Sequence, residues 1–268
     1  MFAQHQIKGV MDFAGLKAVG ESVEKPLQYY DNNVHGTLKL LSAMQRANVK
    51  TFVFSSSATV YADPDGEPMR EDSPRSATSP YGRSKVMVED ILADIYQAEA
   101  NWRIARLRYV NPVGAHESGL IGEDPEGVPN NLMPFVAQVA IGRREFLNIW
   151  GNDCATLDGT GVRDYIHVAD LAEGHVAALD YLNRQDGTLT VNLGTGRGYS
   201  VLEMVKAFEH ASGRAVPYKI GPRRAGDIAR CWADASVSYE KLGWKCKRGI
   251  DQMCADAWRW QQQCKPRA

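Results

Sequence analysis

The stretch TFVFSSS, residues 51–57, is a short apolar run that ends in three hydroxyls. The runs GVMDFAG (9–15) and RIARLRYVN (103–111) are also typical of strands, and the segments between the three runs have helical spacing over about 24–48 and 81–99. Such alternation predicts a parallel sheet with helices on its faces, because each crossover must return over a face of the sheet. The predicted fold class is α/β.

The composition of the chain changes after the third predicted strand. Gly, Pro and Asn are frequent over residues 112–134, and a helix is expected at about 132–141. We therefore predict that residues 1–111 form the first sheet and that residues 112–268 mainly form a smaller lobe. The sequence RDYIHVADLAEGHVAALDYL has the pattern of a strand followed by a helix, which leaves open a return of residues 163–193 to the first sheet.

Charge and cysteine content exclude several classes of protein. The 268 residues include 31 basic and 32 acidic side chains, with no basic block, so neither nucleic acid nor an anionic membrane is an expected partner. No apolar run approaches bilayer-spanning length and the start lacks a signal-peptide pattern, so a cytoplasmic protein is expected. Five cysteines without a CxxC pair argue against a disulfide framework and against a zinc site.

The stretch SPYGRSK (79–85) places a tyrosine and a lysine one helical turn apart. A free phenol has a pKa of about 10, so a tyrosine base near pH 7 needs about 4 kcal/mol of preference for the phenolate. An ammonium about 4 Å away supplies roughly that energy at an effective dielectric of about 20. Lys85 is therefore predicted to activate Tyr81, although spacing alone is equally compatible with two surface residues that share a helical face.

The hydroxyls that end the second strand strengthen the catalytic interpretation. Polar groups at the carboxyl end of a parallel strand face the crevice in which ligands of such sheets bind. Ser57 is placed to hydrogen-bond both the phenol of Tyr81 and a substrate hydroxyl. For Ser55 and Ser56, satisfying backbone groups at the strand end remains an alternative.

Two patterns resemble ligand sites without meeting their requirements. NLGTGRG (192–198) lacks GxGxxG spacing and an acidic residue some 20 positions later, so it is predicted to form a tight turn of the second lobe. His167 and His175 are eight residues apart with no carboxylate to complete a metal triad, so no metal site is predicted. His167 is expected to be a packed strand histidine.

A set of longer motifs, taken together, identifies a family. The chain resembles the UDP-glucose 4-epimerases of the extended short-chain dehydrogenase/reductase superfamily from about Phe13 to its C-terminus. The motifs, in order, are FAGLKAVGES, YYDNNV, SSSATVY, SPYGRSK, RYVNPVGAH, NNLMP, GTGVRDYIHV and PRRAGD. The resemblance implies a Rossmann-type parallel sheet with a smaller C-terminal substrate lobe, NAD as cofactor, a UDP-sugar as substrate and a homodimer that pairs through helices of the cofactor domain.

The resemblance also implies roles for individual residues. The catalytic Ser, Tyr and Lys of the family match Ser57, Tyr81 and Lys85, and the lysine also holds the nicotinamide ribose. The remaining cofactor positions match Phe13, Ala14, Gly15, Leu16, Lys17, Asn32 and Val110, where Val110 replaces a residue that is usually aromatic. The substrate positions match Ser57, Tyr81, Asn111, Asn131, Leu132, Asn148, Ile149, Trp150, Arg163, Arg224, Asp227 and Cys231.

Some substrate residues have chemistry that suits their implied roles. Trp150 can stack on uracil, and Arg163 and Arg224 can give a diphosphate paired hydrogen bonds as well as charge. Cys231 matches a position that is Tyr in some members, near the sugar. A smaller thiol there predicts acceptance of UDP-N-acetylglucosamine and UDP-N-acetylgalactosamine, unless neighbouring side chains close the gap.

Two alternatives to an epimerase are kept. A nucleotide-sugar dehydratase of the same superfamily carries carboxylates after the serine or threonine of the second strand, where this chain has Ala58 and Thr59. A catalytically inactive sugar-nucleotide-binding remnant is the other alternative, since no GxGxxG occurs in the sequence given.

The position of the missing motif leads to a further expectation. In the family the glycine loop and the acidic residue for the adenine ribose both precede the FAGLK strand. We therefore expect an N-terminally truncated sheet that lacks more than one βαβ unit of roughly 30 residues and the helix N-terminus that receives the pyrophosphate. Asp12 stands where the family usually has His, so the sequence next to the expected missing segment also departs from the family pattern. The chain as given is expected to hold no NAD, to expose a sheet edge and to lack epimerase activity.

Overall fold

A computed structural model describes residues 2, 4–64, 66–223 and 228–264. The fold alternates strands and helices along the chain. The strands are β1 (Gly9–Asp12), β2 (Thr51–Ser55), β3 (Arg103–Tyr109), β4 (Asn111–Val113), β5 (Leu147–Trp150), β6 (Val162–His167), β7 (Gly187–Leu193), β8 (Gly198–Ser200), β9 (Tyr218–Gly221) and β10 (Arg230–Cys231).

Helices connect most of these strands. They are α1 (Val19–Glu24), α2 (Pro26–Tyr30), α3 (Gly36–Arg46), α4 (Pro80–Ala98), α5 (Leu132–Ala140), α6 (Val168–Arg184), α7 (Val201–Ser212), α8 (Ser236–Leu242) and α9 (Ile250–Gln263). A π-helical turn over Asp31–His35 joins α2 to α3, and a 3₁₀ turn over Ala58–Val60 follows β2. The α/β class predicted from the sequence is confirmed.

The main sheet is parallel, with the order β1-β2-β3-β7. Alternate residues of β2 serve its two faces: Phe52 and Phe54 pack against α3 and α4, while Val53 belongs to the core under α6. All five residues of β2 are buried, as expected for a strand covered by helices on both sides. Within the described residues β1 has β2 as its only strand partner, so it lies at an edge of this sheet.

The second lobe is built around a smaller sheet. There β6 pairs in parallel with β4 and β10 and antiparallel with β8, and a separate pair is formed by β5 and β9. The core of this lobe lies among α5, α7 and α9 and includes Phe208, Met253 and Ile149.

The structure refines two of the predicted elements. The strand predicted over 103–111 ends at Tyr109, and the chain then enters the second sheet as β4, because Asn111 to Val113 pair with β6 instead of continuing beside β2. The segment 163–193 divides in the same way. Its strand β6 belongs to the second sheet, whereas α6 and β7 return to the main sheet beside β3.

Several predicted absences can be compared with the described part of the chain. All five cysteines are free thiols. Among the described residues no cluster of His, Cys, Asp and Glu could hold a metal ion. No helix in the same part of the chain is both long and apolar enough to cross a bilayer.

Candidate active site

Tyr81 lies in the first turn of α4, at the carboxyl edge of the main sheet. The helix begins at Pro80, which suits a first helical position, and the Ser79 side chain accepts a hydrogen bond from the Gly82 N–H at 3.1 Å. A β-carbon at Gly82 would lie 2.7 Å from the Thr59 carbonyl oxygen. The absence of a side chain there lets α4 pack closely against the turn that follows Ser57.

Ser57 is a neighbour of Tyr81 and acts to lower the pKa of its phenol. The Ser57 oxygen accepts from the Thr59 N–H at 3.2 Å and from the Thr59 hydroxyl at 3.0 Å. With its lone pairs engaged by Thr59, the Ser57 hydroxyl is left to act as a donor, which agrees with the direction of its effect on the Tyr81 phenol. Thr59 therefore orients the serine, a role that the sequence analysis missed because it considered Thr59 only as the absence of a carboxylate.

Lys85 is one turn from Tyr81, as predicted, but its ammonium is held elsewhere. The Nζ atom donates to the Ser55 carbonyl at 2.8 Å and lies 5.9 Å from the centre of the Tyr81 ring. Burial raises the pKa of the Tyr81 phenol, and the hydrogen bond with Ser57 acts in the opposite direction. Lys85 is not among the groups that shift the pKa of Tyr81 here, so its activation of Tyr81 stays a prediction.

Lys85 itself is strongly affected by its surroundings. Burial lowers its pKa to about 8, while the negative charges of Asp12 and Glu89 act to raise it. Glu89 is fully buried and bound by Arg108 in two hydrogen bonds of 3.0 and 2.6 Å. Ser56 donates to the same carboxylate at 2.6 Å, so its side chain has a structural partner one layer below Ser57.

The predicted cofactor loop, residues 13–17, runs beside Lys85 after β1. Phe13, Ala14, Gly15 and Lys17 are exposed and Leu16 is half-buried. A β-carbon at Gly15 would lie 3.6 Å from the Lys85 Nζ atom. The loop thus brings a bare backbone close to the ammonium.

Asn33 holds this loop in place. Its side chain accepts from the Leu16 N–H at 2.8 Å and donates to the Leu16 carbonyl at 2.9 Å and to the Ser84 hydroxyl at 3.2 Å. The residue chosen from the sequence, Asn32, is exposed on the same π-helical turn. Asn32 stays a prediction for the cofactor, and the structural role of Asn33 is one that the sequence analysis did not predict.

Some predicted substrate residues lie where β4, β6 and α5 meet. Asn111 is exposed and donates to the Asp164 carbonyl at 3.0 Å, and Arg163 donates to the Val162 carbonyl at 2.9 Å. Asn131 precedes α5 and donates to Glu123 at 3.0 Å, and Leu132 is half-buried against the second core. The Lys17 ammonium binds the same Glu123 at 3.1 Å, which connects the two lobes.

Other predicted site residues are less uniform. Asn148 and Trp150 face outward from β5, with Trp150 40% exposed, whereas the Ile149 side chain is buried in the core of the second lobe. Val110 is also buried, in the core under α6. Cys231 is half-buried with its Sγ atom 3.5 Å from the Sδ atom of Met69. Arg224 and Asp227 lie outside the described residues.

Comparison with known proteins identifies the family. The family model described as GDP-mannose 4,6 dehydratase matches residues 1–257. UDP-glucose 4-epimerase of Bacillus subtilis is 60% identical over 97% of this chain and 77% of its own length, and the human UDP-glucose 4-epimerase is 57% identical over 98% and 76%. The chain belongs to the UDP-glucose 4-epimerases.

Solved structures of UDP-glucose 4-epimerases agree with this fold. The Stenotrophomonas maltophila UDP-glucose 4-epimerase, solved with bound NAD and formylated UDP-arabinopyranose, gives a TM-score of 0.95 at 53% identity and covers 97% of this chain and 77% of that one. The Bifidobacterium longum UDP-glucose 4-epimerase, solved with NAD+ and UDP, gives 0.93 at 56% identity and covers 98% and 78%.

The dehydratase description of the broader family model does not fit the site of this epimerase. Elimination of water requires an added acid and base, which Asp or Glu supply at the end of the second strand in that class. Here Ala58 and Thr59 occupy the turn, and Thr59 is engaged with Ser57. The strand end therefore lacks the carboxylates for elimination.

The glycine run NLGTGRG (192–198) has a structural partner. Residues 194–197 form the turn between β7 and β8, and Thr195 and Gly196 donate backbone N–H groups to the buried Asp164 carboxylate at 3.1 and 3.3 Å. A β-carbon at Gly194 would lie 2.7 Å from the same carboxylate. Gly194 is therefore needed for close approach to Asp164, in a turn that leads from the main sheet into the second lobe.

His167 has a structural role as well. Its Nδ1 atom accepts the Ala169 N–H at 3.0 Å at the start of α6, and its Nε2 atom is 3.2 Å from Asp256. Because Nδ1 accepts, the proton lies on Nε2 and is donated to the carboxylate. The packed histidine predicted from the sequence is confirmed.

Proposed function

We propose that the protein interconverts UDP-glucose and UDP-galactose by NAD-dependent oxidation at C4, rotation of the 4-keto sugar and re-reduction. The observation that carries this proposal is the buried group of Ser57, Tyr81 and Lys85 at one sheet edge, in a chain 60% identical to the Bacillus subtilis UDP-glucose 4-epimerase. The related structures solved with NAD and with UDP or a UDP-sugar support the same assignment.

The residues beside Lys85 fit a nicotinamide cofactor. Among the described residues the ammonium donates to one acceptor, the Ser55 carbonyl, which leaves two of its three N–H donors for ribose hydroxyls. The exposed loop of residues 13–17 offers backbone on the same side. NAD, when bound, supplies the hydride acceptor and donor for C4 of the sugar. We assign this binding to residues 1–111 together with α6 and β7.

Tyr81 is proposed to move the proton of the reaction. As the base it takes the proton from the sugar 4-hydroxyl. As the acid it returns the proton after the 4-keto sugar has rotated. Ser57 hydrogen-bonds both the phenol and the sugar hydroxyl. Burial raises the phenol pKa, and we assign to the charged form of Lys85 the role of making proton removal more favourable.

The second lobe is proposed to hold the nucleotide while the sugar rotates. Trp150 is exposed enough to stack on uracil, and Arg163 and Arg224 are assigned to the diphosphate. Asn111, Asn131, Leu132, Asn148 and Asp227 are assigned to the remaining polar and backbone contacts. For Ile149 the buried side chain restricts this role to its backbone groups.

We infer that the N-acetylated pair of UDP-sugars is accepted as well. The Cys231 thiol leaves the space that a tyrosine ring would fill. Its Sγ atom lies 3.5 Å from the Sδ atom of Met69. Activity with UDP-N-acetylgalactosamine should fall at least tenfold in Cys231→Tyr, with UDP-galactose turnover changed much less, while Cys231→Ser serves as a control of similar size. Equal N-acetyl activity in wild type and Cys231→Tyr would exclude this size gate.

A homodimer is proposed through the helices that cover one face of the main sheet. Leu38 on α3 and Met87 on α4 are exposed apolar side chains on those helices. Light scattering coupled to size exclusion should give twice the monomer mass, and Leu38→Glu with Met87→Glu should give the monomer. We retain a cytoplasmic location as a prediction.

The function is tested with the protein purified at its natural length. We expect bound NAD to be released on denaturation and UDP-galactose to be converted to UDP-glucose. A folded protein that binds UDP but contains no NAD, and converts neither sugar when NAD is added, would instead support the sugar-nucleotide-binding remnant.

A further inference from the structure

We propose that Asp12 is a buried counter-ion of Lys85 and keeps the lysine charged at neutral pH. Asp12 ends β1 and is 5% exposed. It pairs in register with Phe54 of β2, and paired residues of parallel strands project to the same face of the sheet. Lys85 reaches that face from α4, with its Nζ atom 4.8 Å from the centre of the Phe54 ring. The carboxylate and the ammonium therefore share one buried layer.

The other contacts of Asp12 are to neutral donors. Its Oδ1 atom accepts the Ala14 N–H at 3.0 Å, and its Oδ2 atom lies 3.4 Å from the Thr37 hydroxyl, which is also 2.7 Å from the Asn33 carbonyl. Both contacts favour the ionised carboxylate, but neither offsets its charge. Among the described residues Lys85 is the cation whose charge acts on Asp12.

Glu89 is the other carboxylate that faces Lys85, one turn further along α4. Both of its oxygens are already bound to the Arg108 guanidinium, at 3.0 and 2.6 Å, and Arg75 lies 3.4 Å from one of them. The positive charges of the two arginines offset the negative charge of Glu89, so its net attraction for a third cation such as Lys85 is weak. Asp12 thus remains as the main counter-ion for the lysine.

The groups that face Lys85 define what a titration will report. Asp12 comes from β1, Tyr81 and Glu89 come from α4, and Tyr109 of β3 interacts electrostatically with Tyr81. From β2, Phe54 and the Ser55 carbonyl add no titratable group. Burial lowers the pKa of Lys85 to about 8, so loss of one facing negative charge moves its titration into the neutral range.

The consequence for turnover rests on the proposed function. If Lys85 must be charged to hold the ribose and to favour proton removal by Tyr81, a weaker counter-ion shortens the pH range of activity at its alkaline end. Asp12 would then act through Lys85 as a positioning residue, without touching the substrate.

The test measures Lys85 directly, without substrate. The pH titration of the Lys85 Cε resonance is followed in ¹³C-labelled protein and assigned with Lys85→Met. Asp12→Asn keeps the shape and one acceptor but removes the charge, and it should weaken proton binding by Lys85 about tenfold. Asp31→Asn removes a carboxylate from the exposed π-helical turn and should leave the Lys85 titration unchanged. An identical Lys85 titration in Asp12→Asn and wild type would overturn the proposal.

Two further measurements separate folding and function from the ion pair. If Asp12→Asn does not fold, the Asp12 carboxyl titration is compared in wild type and Lys85→Met, and it must move to higher pH when the ammonium is removed. If neither the Lys85 titration nor the Asp12 titration moves, the proposal is wrong. A Lys85 titration that shifts in Asp12→Asn, together with an unchanged pH profile of turnover, would support the ion pair. It would contradict the role given to Lys85 in the reaction.

Discussion

The Ser57–Tyr81–Lys85 edge and the second lobe hold their polar side chains in different ways. At the edge, the three residues come from the turn after β2 and the first two turns of α4, and all three are buried. In the second lobe, Asn131, Trp150 and Cys231 come from a helix start and from short strands, and they are exposed or half-buried. Side chains fixed by packed elements suit a proton transfer that depends on geometry, whereas loops and strand ends suit contacts that follow a ligand.

The largest effect is expected at the edge. Tyr81→Phe should lower kcat by about 10² to 10⁴ because it removes the proposed proton carrier. The affinity for UDP-glucose, measured by calorimetry, should change little, since the nucleotide contacts are assigned to the other lobe. A variant that keeps more than about a tenth of the wild-type kcat would remove Tyr81 as the base.

The support beneath the edge should matter for stability. Glu89→Gln leaves Arg108 buried without its carboxylate, and such a loss costs about 3 to 5 kcal/mol of unfolding free energy in urea titrations. Asp186→Asn is the matched control, because Asp186 pairs with Arg103 at the protein surface and its loss should cost less than about 1 kcal/mol. Equal costs would mean that the buried layer is not specially dependent on this ion pair.

A smaller effect is expected in the second lobe. Asp164→Asn replaces by an amide the acceptor of the Thr195, Gly196 and Ala233 N–H groups, and loss of the bond to the buried Ala233 N–H costs about 1 to 3 kcal/mol. Because the Asp164 carbonyl also accepts from Asn111, the KM for UDP-galactose should rise more than kcat falls. A fall in kcat with an unchanged KM would contradict the assignment of substrate binding, rather than catalysis, to the second lobe.

The smallest effect compares one histidine from each region. Burial lowers the pKa of His167 and of His175. The native state then binds fewer protons than the unfolded state below the unfolded pKa of about 6.5, so the unfolding free energy falls as pH falls through 6.5, by about 1 kcal/mol per histidine at pH 5.5. His167→Gln and His175→Gln should each flatten this slope in urea titrations at pH 7 and 5.5. A slope that steepens in either variant would contradict the sign.

Local patterns in the sequence predicted the regular elements of the site. The apolar runs at 51–57 and 103–111 and the helical spacing of 81–99 placed β2, β3 and α4, and the four-residue interval placed Tyr81 over Lys85. The family motifs then added roles that spacing could not supply. These features depend on short-range periodicity, which survives in any fold of this class.

Features set by packing between distant segments could not be predicted. The π-helical turn shifts the helix phase, so Asn33 rather than Asn32 turns inward. Asp12 is buried beside Lys85 through the pairing of β1 with β2, and Lys85 turns to the Ser55 carbonyl instead of the phenol. Each outcome depends on which side chains meet across the sheet, and no pattern along the chain records that.

The return of β7 to the main sheet has a consequence for how the chain acquires its structure. The pairing of β3 with β7 joins Tyr109 to Leu193, and the whole β4–β6 excursion lies between these strands. Pairings between segments so far apart form slowly, because a long loop must close before any contact forms. During synthesis the edge of β3 that pairs with β7 therefore stays unpaired until β7 has left the ribosome. Substitutions in β7 should slow refolding more than equally destabilising ones in α4.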